Sequence, residues 1–218
     1  MYSYVLFDLD GTLTDPGVGI TNSVMYALSK YGITVNDRSE LYPFIGPPLD
    51  ESFMKYFGFK KEECTAVIEK YREYFKDTGI FENEVYDGVP EMLTELKKAG
   101  CTLILATSKP QTFAERILDH FGLREYFTFV AGATLDGSRI KKADVIAYAL
   151  RELGIRDISS CLMVGDREHD LVGAAANGMD AVGVLYGYGS REELEAVRRV
   201  FLAETPEDLA DFIKGTRK

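Results

Sequence analysis

No apolar run in this 218-residue chain approaches the roughly 20 residues that a membrane-spanning helix needs, so a spanning segment is not expected. The amino terminus also lacks the basic-then-apolar pattern of a secretory leader, and its first apolar run is expected to be kept as a working strand. Basic residues are in deficit, with 25 Lys and Arg against 35 Asp and Glu. No basic stripe is available to meet a phosphate backbone, which excludes a nucleic-acid polymer as partner. Cysteine is scarce. Cys64, Cys101 and Cys161 are odd in number, widely spaced and form no CxxC pair, which argues against a disulfide framework or a zinc site. Cys101 and Cys161 each begin an apolar run, the setting of a small buried residue, and a reducing cytoplasm is the expected compartment. Internal repeats and low-complexity segments are absent.

What the chain does have begins at residue 4. Tyr4-Val5-Leu6-Phe7 reads as a strand that ends abruptly in Asp8-Leu9-Asp10-Gly11-Thr12. On an extended strand Asp8 and Asp10 would point to the same side. Two carboxylates so placed repel each other unless a cation lies between them, and hard oxygen ligands suit magnesium.

From Pro16 to Val85 the periodicity is helical. Ile20, Val24, Ala27, Leu28 and Tyr31 form one stripe, and Cys64, Val67, Ile68, Tyr71, Tyr74 and Phe75 another. Between them lie a stiff loop, Ile45-Gly46-Pro47-Pro48-Leu49, and a short helical stretch near Phe53 to Phe57. Seventy residues are far too many for an ordinary strand-to-helix loop of about 2–6, so residues 16–85 are expected to be an inserted all-helical domain. Residues 1–15 with 86–218 then form the other domain. There the chain alternates short apolar strands (Thr102–Ala106, Phe127–Val130, Cys161–Val164, Ala181–Val184) with helices, which predicts an α/β fold with a Rossmann-like parallel sheet covered by helices.

Every candidate for chemistry follows a predicted strand. Asp8 and Asp10 follow the first, Thr107-Ser108-Lys109 the strand ending at Ala106, and Gly165-Asp166 through Asp170 the strand ending at Val164. Lys141 and Lys142 open a helix beyond the short strand. A parallel sheet puts all strand C-termini on one edge, so these groups are expected to converge.

Over nearly its whole length the chain resembles the haloacid dehalogenase-like hydrolase superfamily. Asp8-Leu9-Asp10-Gly11-Thr12, Thr107, Lys142 and Gly165-Asp166-x-x-x-Asp170 match its four motifs in order, and the helical insert resembles its type 1 cap. Tyr86-Asp87-Gly88-Val89 and Thr107-Ser108-Lys109-Pro110 are similar to the phosphoglycolate phosphatase-like branch; Ile45–Leu49 and Tyr186-Gly187-Tyr188-Gly189 are similar to 5′-nucleotidase-like members. The resemblance implies that Asp8 is a nucleophile and Asp10 a general acid and base. It implies Mg2+ held by Asp8, the backbone carbonyl of Asp10 and Asp166. Thr107 and the Ser108 N–H would bind the phosphoryl group, with Lys142 or Lys141 balancing its charge and Asp170 acting from behind. His169 lacks the second histidine and flanking arginine of a histidine nucleophile. Gly46 and Pro47, with Arg72 and Lys76 as further choices, are the cap residues expected to read the leaving group. The expected substrate is a small phosphorylated metabolite, phosphoglycolate-like or a 5′-mononucleotide, and the expected state a monomer or weak homodimer. A sugar-phosphate mutase shares these motifs. A phosphoaspartate signalling receiver shares part of them but has neither the insert nor the second aspartate.

Overall fold

A computed structural model describes residues 2–216 and divides into two compact units, 1–14 with 85–218, and 15–84. The chain leaves the larger unit through a two-residue strand, β2 (Thr14–Asp15), and returns through another, β3 (Glu84–Val85).

The larger unit is built on β1 (Tyr4–Phe7), β4 (Thr102–Pro110), β5 (Phe129–Ala133), β6 (Cys161–Gly165), β7 (Asp180–Val184) and β8 (Phe201–Ala203). They form one sheet in the order β5-β4-β1-β6-β7-β8, with every neighbouring pair parallel. The family's expected Rossmann-like α/β core is therefore present. Central β1 pairs on both sides, and its Val5, Leu6 and Phe7 are fully buried. An uninterrupted apolar run suits a strand that is covered on both faces. On one face Leu6, Ile104, Ala106 and Met163 pack with Val145, Ile146 and Ala149 of α6 (Lys142–Glu152) and with Leu171 and Ala174 of α7 (Glu168–Ala176).

The smaller unit is helical: α1 (Gly17–Ser29), a 3-10 segment (Arg38–Phe44), α2 (Leu49–Phe57) and α3 (Lys61–Tyr74), which ends in a π-turn at Phe75–Gly79. Phe44 is its aromatic centre, with Phe53, Tyr56 and Phe57 rings at 5.0, 5.9 and 5.9 Å.

Three local expectations are corrected. The first strand stops at Phe7, so Asp8 and Asp10 sit in the turn beyond it and are not two same-face residues of a strand. Leu9 explains the change: its carbonyl accepts from the N–H groups of Thr12, Leu13 and Thr14, which curls the backbone at once. Thr107-Ser108-Lys109 belong to the end of β4, where the register with β5 shifts between Ala106 and Pro110. Such a bulge re-aims side chains next to a site. The short strand near residue 129 runs two to three residues later than the hydrophobic pattern suggests.

Candidate active site

The register sets the site. Phe7 lies level with Leu105 and Val164, and the Asp8 N–H donates to the Val164 carbonyl at 2.9 Å. Asp8, the bulged end of β4 and Asp166 therefore leave the sheet together at one edge, where open α/β sheets keep their ligands.

Two lysines organise four carboxylates there. Lys142 Nζ stands 2.7 Å from Asp8 Oδ1 and 2.8 Å from Asp170 Oδ1, and donates to the Ala106 carbonyl at 3.0 Å. One ammonium thus faces two carboxylates and a backbone carbonyl. Burial alone would lower Lys142, but Asp170 and Asp8 outweigh it and hold its pKa above the usual lysine value. Lys141, by contrast, is exposed, so the buried lysine beside Asp8 is Lys142. Lys109 Nζ pairs with Asp10 Oδ2 at 2.5 Å. Lys109, a strand-end candidate together with Thr107 and Ser108, is thus the partner of Asp10.

Asp170 is engaged through both oxygens, since its Oδ2 accepts from the Arg167 N–H at 3.1 Å. A Cβ on Gly165 would come within 2.2 Å of the Asp170 carboxyl carbon, so that approach requires glycine. Thr107 is buried and its Oγ1 accepts from the Lys109 N–H at 3.2 Å; Ser108 is half-buried beside it. His169 is exposed. Gly46 belongs to the helical unit, where its φ of 104° is a backbone state that other residues rarely adopt.

The cluster suits a divalent cation. Asp8, Asp166 and Asp170 are buried and each offers an oxygen within 4.8 Å of the others. Four buried carboxylates against two ammonium groups leave two negative charges in a low-dielectric setting. Burial and like charge together raise three of the four carboxyl groups. Burial, then the charges of Asp170 and Asp8, pushes Asp166 well above the usual carboxylate range. Burial raises Asp10 despite the opposing pull of Lys109, and raises Asp170 to about 6 despite Lys142. A hard dication bound by oxygen would offset the excess negative charge and favour the ionised form of these carboxyl groups.

One edge of the parallel sheet thus presents paired aspartates, a threonine and a lysine. Residues 5–184 match the family model of haloacid dehalogenase-like hydrolases. A predicted phosphatase from Clostridium acetobutylicum superposes with a TM-score of 0.95 at 48% identity, covering 98% of each chain. A 5′-nucleotidase from Pseudomonas aeruginosa is 48% identical over 195 residues, 89% of this chain and 88% of its own length. Tyrosine-protein kinase PtkA from Mycobacterium tuberculosis is 42% identical over 88% of this chain, which spans 65% of that protein. The chain belongs to the haloacid dehalogenase-like hydrolases, and its kinship with the family's phosphatases groups it with the phosphoric monoester hydrolases.

Proposed function

We propose that the protein is a magnesium-dependent phosphatase that hydrolyses a small phosphate monoester, phosphoglycolate-like or a 5′-mononucleotide, through an aspartyl-phosphate on Asp8. The observation that carries this reading is the division of labour between the two lysines: Lys142 holds Asp8 and Lys109 holds Asp10 within one buried cluster. An Asp8 oxygen attacks phosphorus while the bond to the leaving oxygen breaks, and Asp10 gives that oxygen its proton. Asp10 then takes a proton from water as the water attacks the aspartyl-phosphate, releasing inorganic phosphate and restoring Asp8. Thr107 and the Ser108 N–H bind the phosphoryl oxygens, and Lys142 offsets their charge. Asp8, the Asp10 carbonyl and Asp166 would hold Mg2+, which when bound lets an anionic nucleophile meet an anionic ester. Asp170 fixes Lys142 from behind.

The helical unit is assigned the choice of leaving group, with Gly46 as its contact residue, as a cap that excludes water. The substrate classes draw support from the relative named 5′-nucleotidase. Three free buried cysteines suit a reducing cytoplasm. Purified protein with Mg2+ and a panel of phosphoglycolate, 5′-mononucleotides and sugar phosphates tests the reading. Free phosphate at multiple turnover supports it. A phosphorylated isomer would identify a mutase, and label retained on protein without turnover would identify a receiver or a protein-directed transferase.

A further inference from the structure

The alternating Tyr186-Gly187-Tyr188-Gly189 run after β7 has no part in the chemistry above. Its contacts converge on Asp166. The Tyr188 N–H donates to Asp166 Oδ2 at 2.8 Å, while Thr12 Oγ1 lies 3.5 Å from Oδ1. A Cβ on Gly187 would fall 2.4 Å from the Asp166 Cβ and 2.2 Å from the Gly11 carbonyl oxygen. One on Gly189 would fall 1.9 Å from the Asp166 carbonyl oxygen. Neither glycine has a positive φ, so what demands glycine here is space and not torsion. The loop is tied down at its start: the Tyr186 hydroxyl donates to the Thr12 carbonyl at 3.2 Å, and its ring meets Tyr86 edge-on at 5.3 Å. Asp166 is fully buried between this loop and the turn after Asp10.

From this we infer that Tyr186–Gly189 is a positioning element that fixes the Asp166 carboxylate for cation binding. Asp166 lies beside Asp8 and Asp170, each offering an oxygen within 4.8 Å of the others, and like charges so close would turn an unrestrained carboxylate away. One N–H on Oδ2 and a wall of backbone hold it in a single orientation, and Tyr186 links that wall to the segment carrying Asp8 and Asp10. Partners behind a metal ligand typically matter 10- to 100-fold in metal affinity.

The inference rests on the reading of Asp166 as a magnesium ligand, and one experiment separates the two. Mg2+ affinity is measured by titration calorimetry on the full chain, beside melting curves without metal, for wild type, Asp166→Asn, Gly187→Ala and Tyr186→Phe. Gly187→Ala is expected to weaken Mg2+ binding about 10- to 100-fold. Tyr186→Phe, which removes one hydroxyl and keeps the ring, is expected to weaken it several-fold to about tenfold with the metal-free melting temperature nearly unchanged. If Gly187→Ala does not fold, Tyr186→Phe decides alone. Wild-type affinity in Tyr186→Phe, with Asp166→Asn impaired, overturns the loop's role and leaves the ligand standing. Equal binding by wild type and Asp166→Asn, or no binding by either, overturns both.

Discussion

Lys109 and Asp10 are 99 positions apart in sequence and form a buried ion pair, Nζ to Oδ2 at 2.5 Å. The other oxygen, Asp10 Oδ1, is buried with no hydrogen-bond partner among the described residues. One oxygen is anchored, and under the proposed mechanism the other would carry the proton. Lys109→Met is therefore expected to slow hydrolysis of alkyl phosphates at least tenfold while sparing aryl phosphates, whose leaving groups need little protonation. Removing one member of a buried pair also costs about 3–5 kcal/mol unless Asp10 takes up a proton. Steady-state rates over a series of leaving groups check this, and an equal loss on all of them would remove Lys109 from any part in proton transfer.

Asp8→Asn and Asp10→Asn should fail differently. An amide at Asp8 cannot form the aspartyl-phosphate, so turnover is expected to vanish while metal-free stability holds or rises, one crowded carboxylate having been removed. Asp10→Asn keeps the backbone carbonyl and should retain Mg2+ binding, with a rate loss of about 10²–10⁴-fold that is smallest on aryl phosphates. Residual turnover above a few per cent in Asp8→Asn would place the nucleophile elsewhere.

Metal-free protein should lose stability as pH rises through the acid range. Asp10, Asp166 and Asp170 all have folded-state values above the ordinary carboxylate value, Asp170 at about 6. At these three groups the folded state binds more protons than the unfolded chain, so their contribution to stability is fully present below about pH 4 and falls as pH rises through about 6, opposed at the exposed surface by the lowered Asp136 and Asp211. Mg2+ must displace those protons, so its stabilising effect should grow across the same window. Melting curves from pH 4.5 to 7.5, with and without Mg2+, read both trends; a Mg2+ effect independent of pH would contradict them.

A bulky residue at Gly46 is expected to reorder substrate preference far more than it changes the rate on acetyl phosphate. Its φ of 104° adds a cost of about 1–2 kcal/mol for any side chain, so melting curves must accompany the kinetics. A uniform fall in all activities, tracking stability, would confine Gly46 to its turn.

The sheet, the helical insert and the convergence at the strand ends were legible because they rest on hydrophobic period, segment length and parallel topology. Lys142 and Lys141 could not be separated from sequence, since the difference is burial: one meets Asp8 and Asp170, the other is exposed. Lys109 stood among the strand-end candidates, but its pairing with Asp10 was not legible, because the register shift in β4 leaves no periodic trace. The three-residue β8 and the five-residue helix α8 (Arg191–Glu195) are too short to show a period. Gly187 and Gly189 read as turn residues, whereas their use is to let backbone approach a carboxylate.

The central position of β1 has a consequence for how the chain comes into being. The strand leading to Asp8 is the first to be synthesised, yet its register partners are Thr102 and Cys161, so its neighbours on the two sides arrive about 100 and 160 residues later. Until then an apolar strand with a carboxylate at its end has no sheet to join, and such long-range closures fold slowly. Asp8 is made early and meets its partners late. A nascent or truncated chain ending before β6 lacks the Asp166 segment and one flank of β1, so it cannot assemble the cluster of Asp8, Asp166 and Asp170.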